Sequence, residues 1–478
     1  MTQYEPVIGL EVHAQLLTQT KLFCRCPAAF GEAPNENVCP VCLGWPGSLP
    51  RANAEAVHLA VRAALALGCE IRPHSTFERK QYFYPDLPKG YQISQYAEPF
   101  SEHGHLDVDL EAGIKRAGIT RVHMEEDAGK NVHGQGGSSV VDLNRAGTPL
   151  IEIVGDPDLA SSTEAAAYLR ALRDVLVFIG VNDGNLEEGS FRCDANVSIR
   201  PKGSTKLGTR VELKNINSFR FVHKAIDAEI ARQTAILDSG GSVVQETRAY
   251  DPERNLTKPL RSKADAHDYR YFPDPDLPPL LIGTELVQAE QQKIGELPRA
   301  RRARYEQQWG VSAAAAQVLT SHPAVARFFE ATVELFTQPV KVANWIQTEV
   351  LRGSTLHGLE AKFPVTPEQV AELLALVDKG EISGKQAKEV YAAIEGTSER
   401  PATIVEQRGM RVVSDSSALL AMCQKVLADN PKGVETYRAG KTGTLGFFVG
   451  QVMKLCQGSA DPKRVSELLT QLLQGETP

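Results

Sequence analysis

Polar and apolar residues alternate in several short stretches of the first half of the chain, as they do in strands with one buried face. In residues 7–16 the apolar side chains fall on one face, and Glu11, His13 and Gln15 fall on the other. The same alternation occurs in residues 119–127, 192–200 and 210–214. Ordinary solvent-facing sheets also alternate, but these polar faces collect acids, a histidine, arginine, lysine, asparagine and serine. The pattern predicts an antiparallel sheet with a charged, concave front.

Helices are predicted behind this sheet, where apolar residues recur at the spacing of one helical face. The segments concerned are residues 53–68, 163–180 and 218–239. From about residue 295 the pattern is helical, and a second small helical unit begins near residue 405. We therefore predict an α+β fold with a sheet domain over residues 1–294, an all-α helical domain over 295–405 and a small α-helical tail domain over 406–478.

An acidic stretch, His123-Met124-Glu125-Glu126-Asp127-Ala128-Gly129-Lys130, follows one of the predicted strands. Adjacent carboxylates repel one another, so a fold that gathers them commonly supplies a cation, and oxygen ligands suit Mg²⁺. Alternation places Glu125 on the face of His123 and Glu126 on the other face, which favours Glu125 as a ligand. Which of Glu125, Glu126 and Asp127 coordinates directly stays open, because the strand can end there. A solvated acidic turn is the alternative.

Polar side chains on two other predicted strands are further candidates for binding a ligand. Glu11 and His13 lie side by side on the polar face of the first strand, and Glu152 is a carboxylate within an apolar run at residues 150–154. Because burial of a lone carboxylate is costly, Glu152 needs a metal or a basic partner. The alternatives are a solvated strand face for His13 and a water-facing edge strand for Glu152.

Four cysteines form two close pairs, Cys24 with Cys26 and Cys39 with Cys42. Two such pairs joined by a loop can place four thiolates tetrahedrally around Zn²⁺. Since all four positions are filled, the sequence predicts a structural zinc knuckle inserted at residues 24–42. The first pair is C-x-C and not the commoner C-x-x-C, and a disulfide or a redox function is the weaker alternative.

A loop at residues 77–96 mixes aromatic side chains with Lys80 and Lys89. Aromatic faces and ammonium groups together can stack on a base and neutralise phosphates, so we interpret the loop as a ligand-binding segment. An aromatic loop packed on a core is the alternative.

A glycine-rich basic turn, residues 440–454, enters a helix in the tail. It is not a P-loop, because Glu435 occupies the position of the required upstream glycine. Solvated basic faces are the alternative to RNA binding here and on the basic helix near residue 300.

Composition changes this picture little. The 478 residues are 42% hydrophobic and 23% charged, with a net charge of -7, which is typical of globular proteins and excludes a histone-like nucleic-acid binder. The N-terminus has no basic leader region, and no apolar run is long enough to span a membrane. The remaining four cysteines are scattered. We expect a cytoplasmic protein in a reducing compartment, with no membrane partner.

Five stretches resemble the GatB family, whose members are components of bacterial aspartyl/glutamyl-tRNA amidotransferases. They are residues 5–15, 79–95, 123–130, 188–198 and 268–273. The resemblance runs in order along essentially the whole chain. It implies a catalytic cradle domain built on a glutamine-synthetase-like sheet, a helical domain, and a tail domain that helps to hold tRNA.

The resemblance also implies a reaction. ATP phosphorylates the side-chain carboxylate of misacylated Glu-tRNA(Gln) or Asp-tRNA(Asn), and ammonia displaces the phosphate to give the amide. A separate amidase subunit would supply the ammonia from glutamine, and a small third subunit would complete the enzyme. The chain would thus act as an ATP-dependent carbon–nitrogen ligase. A convincing nucleophile site is absent from this sequence, which agrees with a separate amidase.

The resemblance and the predicted strand faces together imply roles for individual residues. The expected Mg²⁺ ligands are His13, Glu125, Glu152 and, nearby, Glu11. The expected catalytic residues are Lys80, Glu126, Arg192, Asp194 and Lys214. The residues expected to contact ATP are Tyr82, Lys89, Ser190 and Asn196.

Two further sites are implied outside the catalytic face. The zinc knuckle, formed by Cys24, Cys26, Cys39 and Cys42, matches one found in some members of the family only. In the tail, Lys441 and Lys454 are expected to contact tRNA.

The chain departs from the family pattern in places. Phe191 and Ile199 replace more usual residues by apolar exchanges that leave the site intact, and the turn at residues 442–444 is less typical, which bears on its tRNA contacts. Two rival hypotheses remain: a non-catalytic tRNA-binding scaffold that tethers an amidase, and a free-standing ATP-dependent amide ligase for a small acid.

Overall fold

The computed structural model describes residues 3–133, 139–216, 218–262, 269–410, 416–456, 460 and 462–474. The chain forms two compact units: Met1–Arg301 with His357–Leu359, and Arg302–Leu356 with Glu360–Pro478. Asp268, which opens the last of the five family-like stretches, lies outside the described residues. Within the described part of the chain, no helix is both long and apolar enough to cross a membrane.

Up to residue 294, the described residues of the first unit form strands and four helices. In chain order the elements are β1 (Tyr4–Gln15), α1 (Ala54–Ala66), β2 (Glu70–Ile71), β3 (His74–Ser75), β4 (Glu78–Gln81), β5 (Tyr91–Ser94), β6 (Ser101–Leu110), β7 (Gly113–Glu126), β8 (Lys130–His133), β9 (Ser139–Asp142), β10 (Pro149–Gly155), α2 (Ser162–Phe178), β11 (Phe191–Pro201), β12 (Val211–Ile216), α3 (Phe219–Asp238), β13 (Glu246–Asp251), β14 (Leu256–Ser262), β15 (Phe272–Pro273), β16 (Leu280–Leu281) and α4 (Thr284–Ile294).

A nine-stranded sheet organises this unit, in the order β14-β13-β12-β11-β1-β10-β7-β6-β2. Every neighbouring pair is antiparallel except β12 and β13, which are parallel. The predicted antiparallel sheet is therefore confirmed with one exception. The exception has a physical cause: helix α3 lies between β12 and β13 in the chain, and a helical crossover is what allows two successive strands to run parallel.

The alternation seen in the sequence separates the two faces of the sheet. Ile8, Leu10 and Val12 of β1 and Met124 of β7 are at most 1% exposed and belong to one hydrophobic core. Helices α1, α2 and α3 contribute the other side of that core. Burying one face in this way leaves the opposite face of β1, β7, β10 and β11 to carry polar side chains.

The predicted helices behind the sheet are confirmed as α1, α2 and α3, with ends that differ by a few residues from the prediction. Each begins after a residue whose side chain accepts from backbone amides of the first turn: Asn53, Ser161 and Ser218. Such N-caps satisfy amide groups that have no partner within the helix.

A cluster of charges joins helix α4 to helix α1. The Glu290 carboxylate is fully buried and lies 2.7 Å from His58 Nδ1, 2.8 Å from Arg62 Nη2 and 2.6 Å from Lys293 Nζ. Burial would raise the pKa of Glu290, but hydrogen bonds from Lys293, His58 and Arg62 lower the pKa to about 2. The carboxylate thus stays ionised, and its contacts hold α4 against α1.

Glu290→Gln is expected to destabilise the first unit by about 2 kcal/mol at pH 7, since a hydrogen-bonded buried charge is lost. Because the folded pKa of Glu290 lies below its ordinary value of 4.5, the contribution is complete above that value and is lost as the pH falls towards 2. Urea denaturation followed by circular dichroism should show a gap between wild type and variant that narrows below pH 4.5. The exposed Glu285 of the same helix provides the control, and Glu285→Gln should change stability by no more than about 0.5 kcal/mol.

From Pro298 onward, the described part of the chain is mainly helical. After α5 (Pro298–Trp309), the elements are α6 (Ala313–Leu319), α7 (Pro323–Leu335), α8 (Pro339–Trp345), a π-helix (Ile346–Val350), a 3-10 helix (Leu351–Gly353), β17 (Thr355–His357), β18 (Glu360–Lys362), α9 (Pro367–Asp378), α10 (Gly384–Ile394), α11 (Pro401–Gln407), α12 (Ser416–Asp429), α13 (Pro431–Arg438), α14 (Thr444–Leu455) and α15 (Pro462–Gln474).

The helical prediction for this part of the chain is confirmed, with the addition of the short hairpin β17–β18. Two separate hydrophobic cores occur here, one among residues 305–405 and one among residues 419–473. The division of the chain at residues 294 and 405 into cradle, helical and tail domains stays a prediction.

Candidate active site

A row of polar side chains crosses four strands on the face of the sheet opposite the core. His13 of β1 is in register with Arg192 of β11 on one side and with Glu152 of β10 on the other. Glu152 is in turn in register with His123 of β7. Side chains in register on adjacent strands point to the same face and lie close together. This register therefore places two histidines, an acid and an arginine in one line across the sheet.

Two members of this row, His13 and Glu152, form with Glu125 of β7 a group that can hold a cation. His13 Nε2 lies 3.5 Å from Glu125 Oε1 and 3.7 Å from Glu152 Oε2. One donor atom from each residue falls within 4.8 Å of the others. Two carboxylates with an imidazole, and water in the remaining positions, fit a divalent ion such as Mg²⁺, which normally keeps several waters. These are three of the four expected Mg²⁺ ligands.

His123 supports this group from the adjacent strand. It is buried, and its Nε2 lies 3.2 Å from Glu152 Oε2. Burial would raise the pKa of Glu152, but His123 and His13, with Lys80, hold that pKa well below its ordinary value. Sequence reasoning gave His123 no role, although the alternation of β7 already placed it on the face of Glu125.

The fourth expected ligand, Glu11, lies two residues before His13 in β1. It is on the same face of the strand as His13. Its carboxylate accepts a hydrogen bond from Asn196 Nδ2 at 2.8 Å. Burial and the neighbouring Glu152 raise the pKa of Glu11 despite that hydrogen bond. Asn196, expected to contact ATP, is thus engaged with Glu11.

The three acids of the acidic stretch point in three directions. Glu125 faces His13, whereas the Glu126 carboxylate accepts hydrogen bonds from Lys89 Nζ and from the Ile93 amide at 3.0 Å. Asp127 Oδ1 lies 2.9 Å from Arg192 Nη2. Alternation followed by the end of the strand explains why adjacent residues serve different partners.

Asp127 is a buried anchor for Arg192. Its second oxygen accepts from Gln15 Nε2 at 3.0 Å, and Arg145 Nε lies 3.5 Å away. Burial would raise the pKa of Asp127, but Arg192 and Arg145 lower it below the ordinary value. The charged carboxylate therefore holds the guanidinium of Arg192 at the edge of the site.

Lys80 of β4 lies against aromatic rings, near the carboxylates of Glu125 and Glu152. Its Nζ is 4.9 Å from the centre of the Tyr269 ring and 5.9 Å from that of Tyr82. Burial would lower the pKa of Lys80, but the carboxylate of Glu125, with Tyr271 and Glu152, raises the pKa above its ordinary value. Sequence reasoning gave Tyr269 and Tyr271 no role, and the only signal for them was the family-like stretch at residues 268–273.

Lys214 and Asp194 form an ion pair at the other end of the site, with 2.7 Å between Nζ and Oδ2. A second carboxylate, Glu212, lies 3.0 Å from Lys214 Nζ. Burial would lower the pKa of Lys214, and these two acids raise it above the ordinary value. Lys214 therefore carries its charge into the site.

An open cavity of about 570 Å³ collects most of these groups. The expected residues that line it are His13, Lys80, Tyr82, Glu125, Arg192, Asp194 and Lys214. It thus presents three cationic side chains around acidic ones, an arrangement that can hold a polyphosphate together with a metal ion.

Other expected residues lie elsewhere. Lys89 and Glu126 pair with each other beside the cysteine loop, where both line a smaller cavity. The Ser190 hydroxyl lies within hydrogen-bond distance of two acceptors, an Asp183 carboxylate oxygen and, at 3.0 Å, the Asn185 carbonyl oxygen. The catalytic role of Glu126 and the ATP contacts of Lys89, Ser190 and Asn196 stay predictions.

The four cysteines converge as the spacing indicated. One sulfur from each of Cys24, Cys26, Cys39 and Cys42 lies within 4.8 Å of the others. The sulfurs of Cys39 and Cys42 are 3.9 Å apart, close to the roughly 3.8 Å edge of a tetrahedron with Zn–S bonds of about 2.3 Å. The Cys39 amide lies 3.2 Å from the Cys42 sulfur. The donor set fits a structural zinc ion.

The tail lysines are both exposed. Lys441 precedes α14 and Lys454 lies in its last turn. Their position at the surface is compatible with contact to RNA phosphates and equally with a solvated face, so the tRNA role stays a prediction.

Comparisons with known proteins agree with the resemblance. A model of the GatB/GatE catalytic domain matches residues 6–288, and a model described as the GatB domain matches residues 327–473. The B subunit of the aspartyl/glutamyl-tRNA(Asn/Gln) amidotransferase of Solidesulfovibrio magneticus is 54% identical over 475 residues, which covers 99% of this chain and 100% of that protein.

The corresponding amidotransferase proteins of Geotalea uraniireducens and Myxococcus xanthus are each 52% identical, over 478 and 479 residues. Each alignment covers 99% of this chain, with 100% of the Geotalea protein and 99% of the Myxococcus protein. Because the catalytic-domain match spans more than half of the chain and these relatives align along its length, the chain belongs to the GatB family.

Proposed function

We propose that this chain is the kinase and amide-forming component of a tRNA-dependent amidotransferase, acting on Glu-tRNA(Gln), Asp-tRNA(Asn) or both in the cytoplasm. The observation that carries the proposal is the metal group of His13, Glu125 and Glu152 beside a cavity with three cationic side chains. Membership of the GatB family supports the same assignment.

The proposed reaction has two steps. A side-chain carboxylate oxygen of the aminoacyl group attacks the γ-phosphorus of ATP, so that ADP leaves and an acyl phosphate forms. Ammonia then attacks the acyl carbon, inorganic phosphate leaves with the bond electrons, and the nitrogen loses a proton to give the amide. The ammonia comes from glutamine through an amidase subunit, GatA, and a small subunit, GatC, completes a heterotrimer.

The side chains of the cavity suit the first step. Phosphoryl transfer needs positioning and charge stabilisation more than covalent catalysis. Lys80 and Arg192 would contact the transferring phosphoryl oxygens, with Asp127 fixing the orientation of Arg192. Asp194 and Lys214 would orient the substrate at the far end. A Mg²⁺ ion bound by His13, Glu125 and Glu152 would neutralise phosphate charge.

Two other elements complete the proposal. The cysteine group would bind a structural Zn²⁺ that stabilises a loop too polar to form its own core. The basic turn with Lys441 and the helix end with Lys454 would contact tRNA phosphates.

The test is reconstitution. The purified chain is mixed with its amidase and small subunits, ATP, Mg²⁺, glutamine and each misacylated tRNA, and the aminoacyl group is analysed after deacylation. We expect ATP-dependent formation of glutamine or asparagine on the tRNA. Absence of an amide on both tRNAs would contradict the proposal. Product formed without ATP would contradict the kinase role. Equal turnover of the free amino acid would indicate a small-acid ligase.

A further inference from the structure

Lys21 is a buried cation outside the catalytic site. Its side chain is fully excluded from solvent. The ammonium lies 2.6 Å from the Asn37 carbonyl oxygen, 3.4 Å from the Leu143 carbonyl oxygen and 3.7 Å from the Cys42 sulfur. It therefore sits directly behind the cysteine group.

Lys21 has an unusual set of partners for a buried charge. Among the described residues, no carboxylate oxygen lies within 4.0 Å of its Nζ, and its contacts with oxygen are to neutral carbonyl groups. A buried charge without a counter-charge is strongly unfavourable. Of the described groups in contact with its Nζ, only the Cys42 sulfur can carry negative charge.

The cysteine group has an excess of negative charge when it holds a divalent metal ion. Four thiolates around a divalent ion carry a net charge of about -2, and Cys42 itself is only 5% exposed. Water cannot screen that charge well where the sulfur is buried. An ammonium in contact with one sulfur offsets about half of this net negative charge.

We propose that Lys21 is the charge partner of the metal-loaded cysteine group and that it is needed for the protein to retain the metal. The inference rests on the structural zinc proposed above. Lys21 is a positioning residue here: it touches one ligand and not the metal. Its contact with the Leu143 carbonyl oxygen also connects the cysteine loop to the segment that leads into β10.

The experiment measures metal release from the full chain. Zinc-loaded wild type, Lys21→Met and Lys21→Gln are mixed with a chromogenic chelator, and the rate of zinc transfer is followed by absorbance. We expect both variants to release zinc at least about tenfold faster, the size of effect seen when partners of metal ligands are removed. Lys21→Gln keeps a hydrogen-bond donor for Asn37 and lacks the charge, so release at the wild-type rate would overturn the proposal. The exposed Lys202 gives the control, and Lys202→Met should not alter release.

A second measurement separates the charge effect from a general loss of stability. If Lys21 acts only by packing, Lys21→Met should lower the thermal midpoint equally in the zinc-loaded and the chelator-treated protein. We expect a larger loss in the loaded protein, because the charge partner is then present. Equal losses in the two forms would contradict the proposal.

A double variant keeps the test decisive where Lys21→Met alone does not fold. Cys42→Ala leaves the buried ammonium with carbonyl partners only, so adding Lys21→Met should restore part of the lost thermal stability. A further loss in the double variant would refute the charge pairing. If wild type binds no zinc, the structural zinc site itself fails, whereas the amidation assay still tests the proposed function.

Discussion

Glu125→Gln is expected to lower the rate of ATP-dependent amidation by at least about 100-fold, because it removes a charged donor from the metal group. Glu125 is 2% exposed and lies 3.5 Å from His13 Nε2. Glutamine has nearly the same shape but no charge, so the fold should persist while Mg²⁺ binds more weakly. The measurement is the amidation rate at increasing Mg²⁺ concentration, with circular dichroism to verify folding.

The dependence on Mg²⁺ makes this test specific. We expect the variant to require a higher Mg²⁺ concentration for half-maximal rate, with partial recovery when Mg²⁺ is raised. Glu111, an exposed acid in the turn between β6 and β7, provides a control of the same chemistry, and Glu111→Gln should match wild type. An unchanged amidation rate in Glu125→Gln would remove Glu125 from the metal group.

The strand faces could be predicted because alternation is a local property of the sequence. A polar face holding Glu11 and His13 follows from the apolar positions around them, and the buried partners on the other face agree with it. The same reasoning favoured Glu125 over Glu126, and the structure places Glu125 beside His13 and Glu126 beside Lys89. Local periodicity therefore decides the direction of a side chain.

Which strands become neighbours could not be predicted in the same way. The pairing of β1 with both β10 and β11 is a long-range property, and it alone brings Glu152 and Arg192 to either side of His13. For the same reason, alternation did not reveal that Asn196 bonds to Glu11 or that Ser190 bonds to Asp183. The first contact depends on the pairing of β1 with β11, and the second depends on the course of the loop before β11; the local pattern encodes neither.

The position of Lys21 shows a further limit. In sequence it is an ordinary lysine three residues before Cys24, and lysine is normally exposed. Only the folded loop reveals that Asn37 and Cys42 enclose its ammonium. The cysteine spacing predicted a metal site, whereas the charge that balances it was recognised from the contacts.

Asp127→Asn is expected to destabilise the first unit by about 2 kcal/mol, because it leaves the guanidinium of Arg192, whose side chain is 35% exposed, without its buried counter-charge. Asp127 is 3% exposed, with Arg192 Nη2 2.9 Å from Oδ1. Since Arg192 lines the cavity to which we assign phosphoryl transfer, we also expect at least a tenfold slower amidation rate at saturating ATP. Urea denaturation and the reconstituted assay measure the two effects.

A matched pair on the protein surface gives the control. Asp107 forms a two-point ion pair with Arg116, at 2.8 and 3.1 Å, but there the arginine side chain is 65% exposed. Asp107→Asn should therefore cost no more than about 1 kcal/mol and leave amidation unchanged. Equal costs at the two sites would mean that burial does not strengthen the Asp127 pair.

The pH dependence tests the same ion pair independently. The folded pKa of Asp127 lies below its ordinary value of 3.8, so its contribution is complete above that value and declines as the pH falls further. The stability gap between wild type and Asp127→Asn should be constant from pH 7 to about pH 5 and should shrink only in stronger acid. A gap that shrank already between pH 7 and pH 5 would show that Asp127 titrates in that range, and so that Arg192 does not hold it in the charged form.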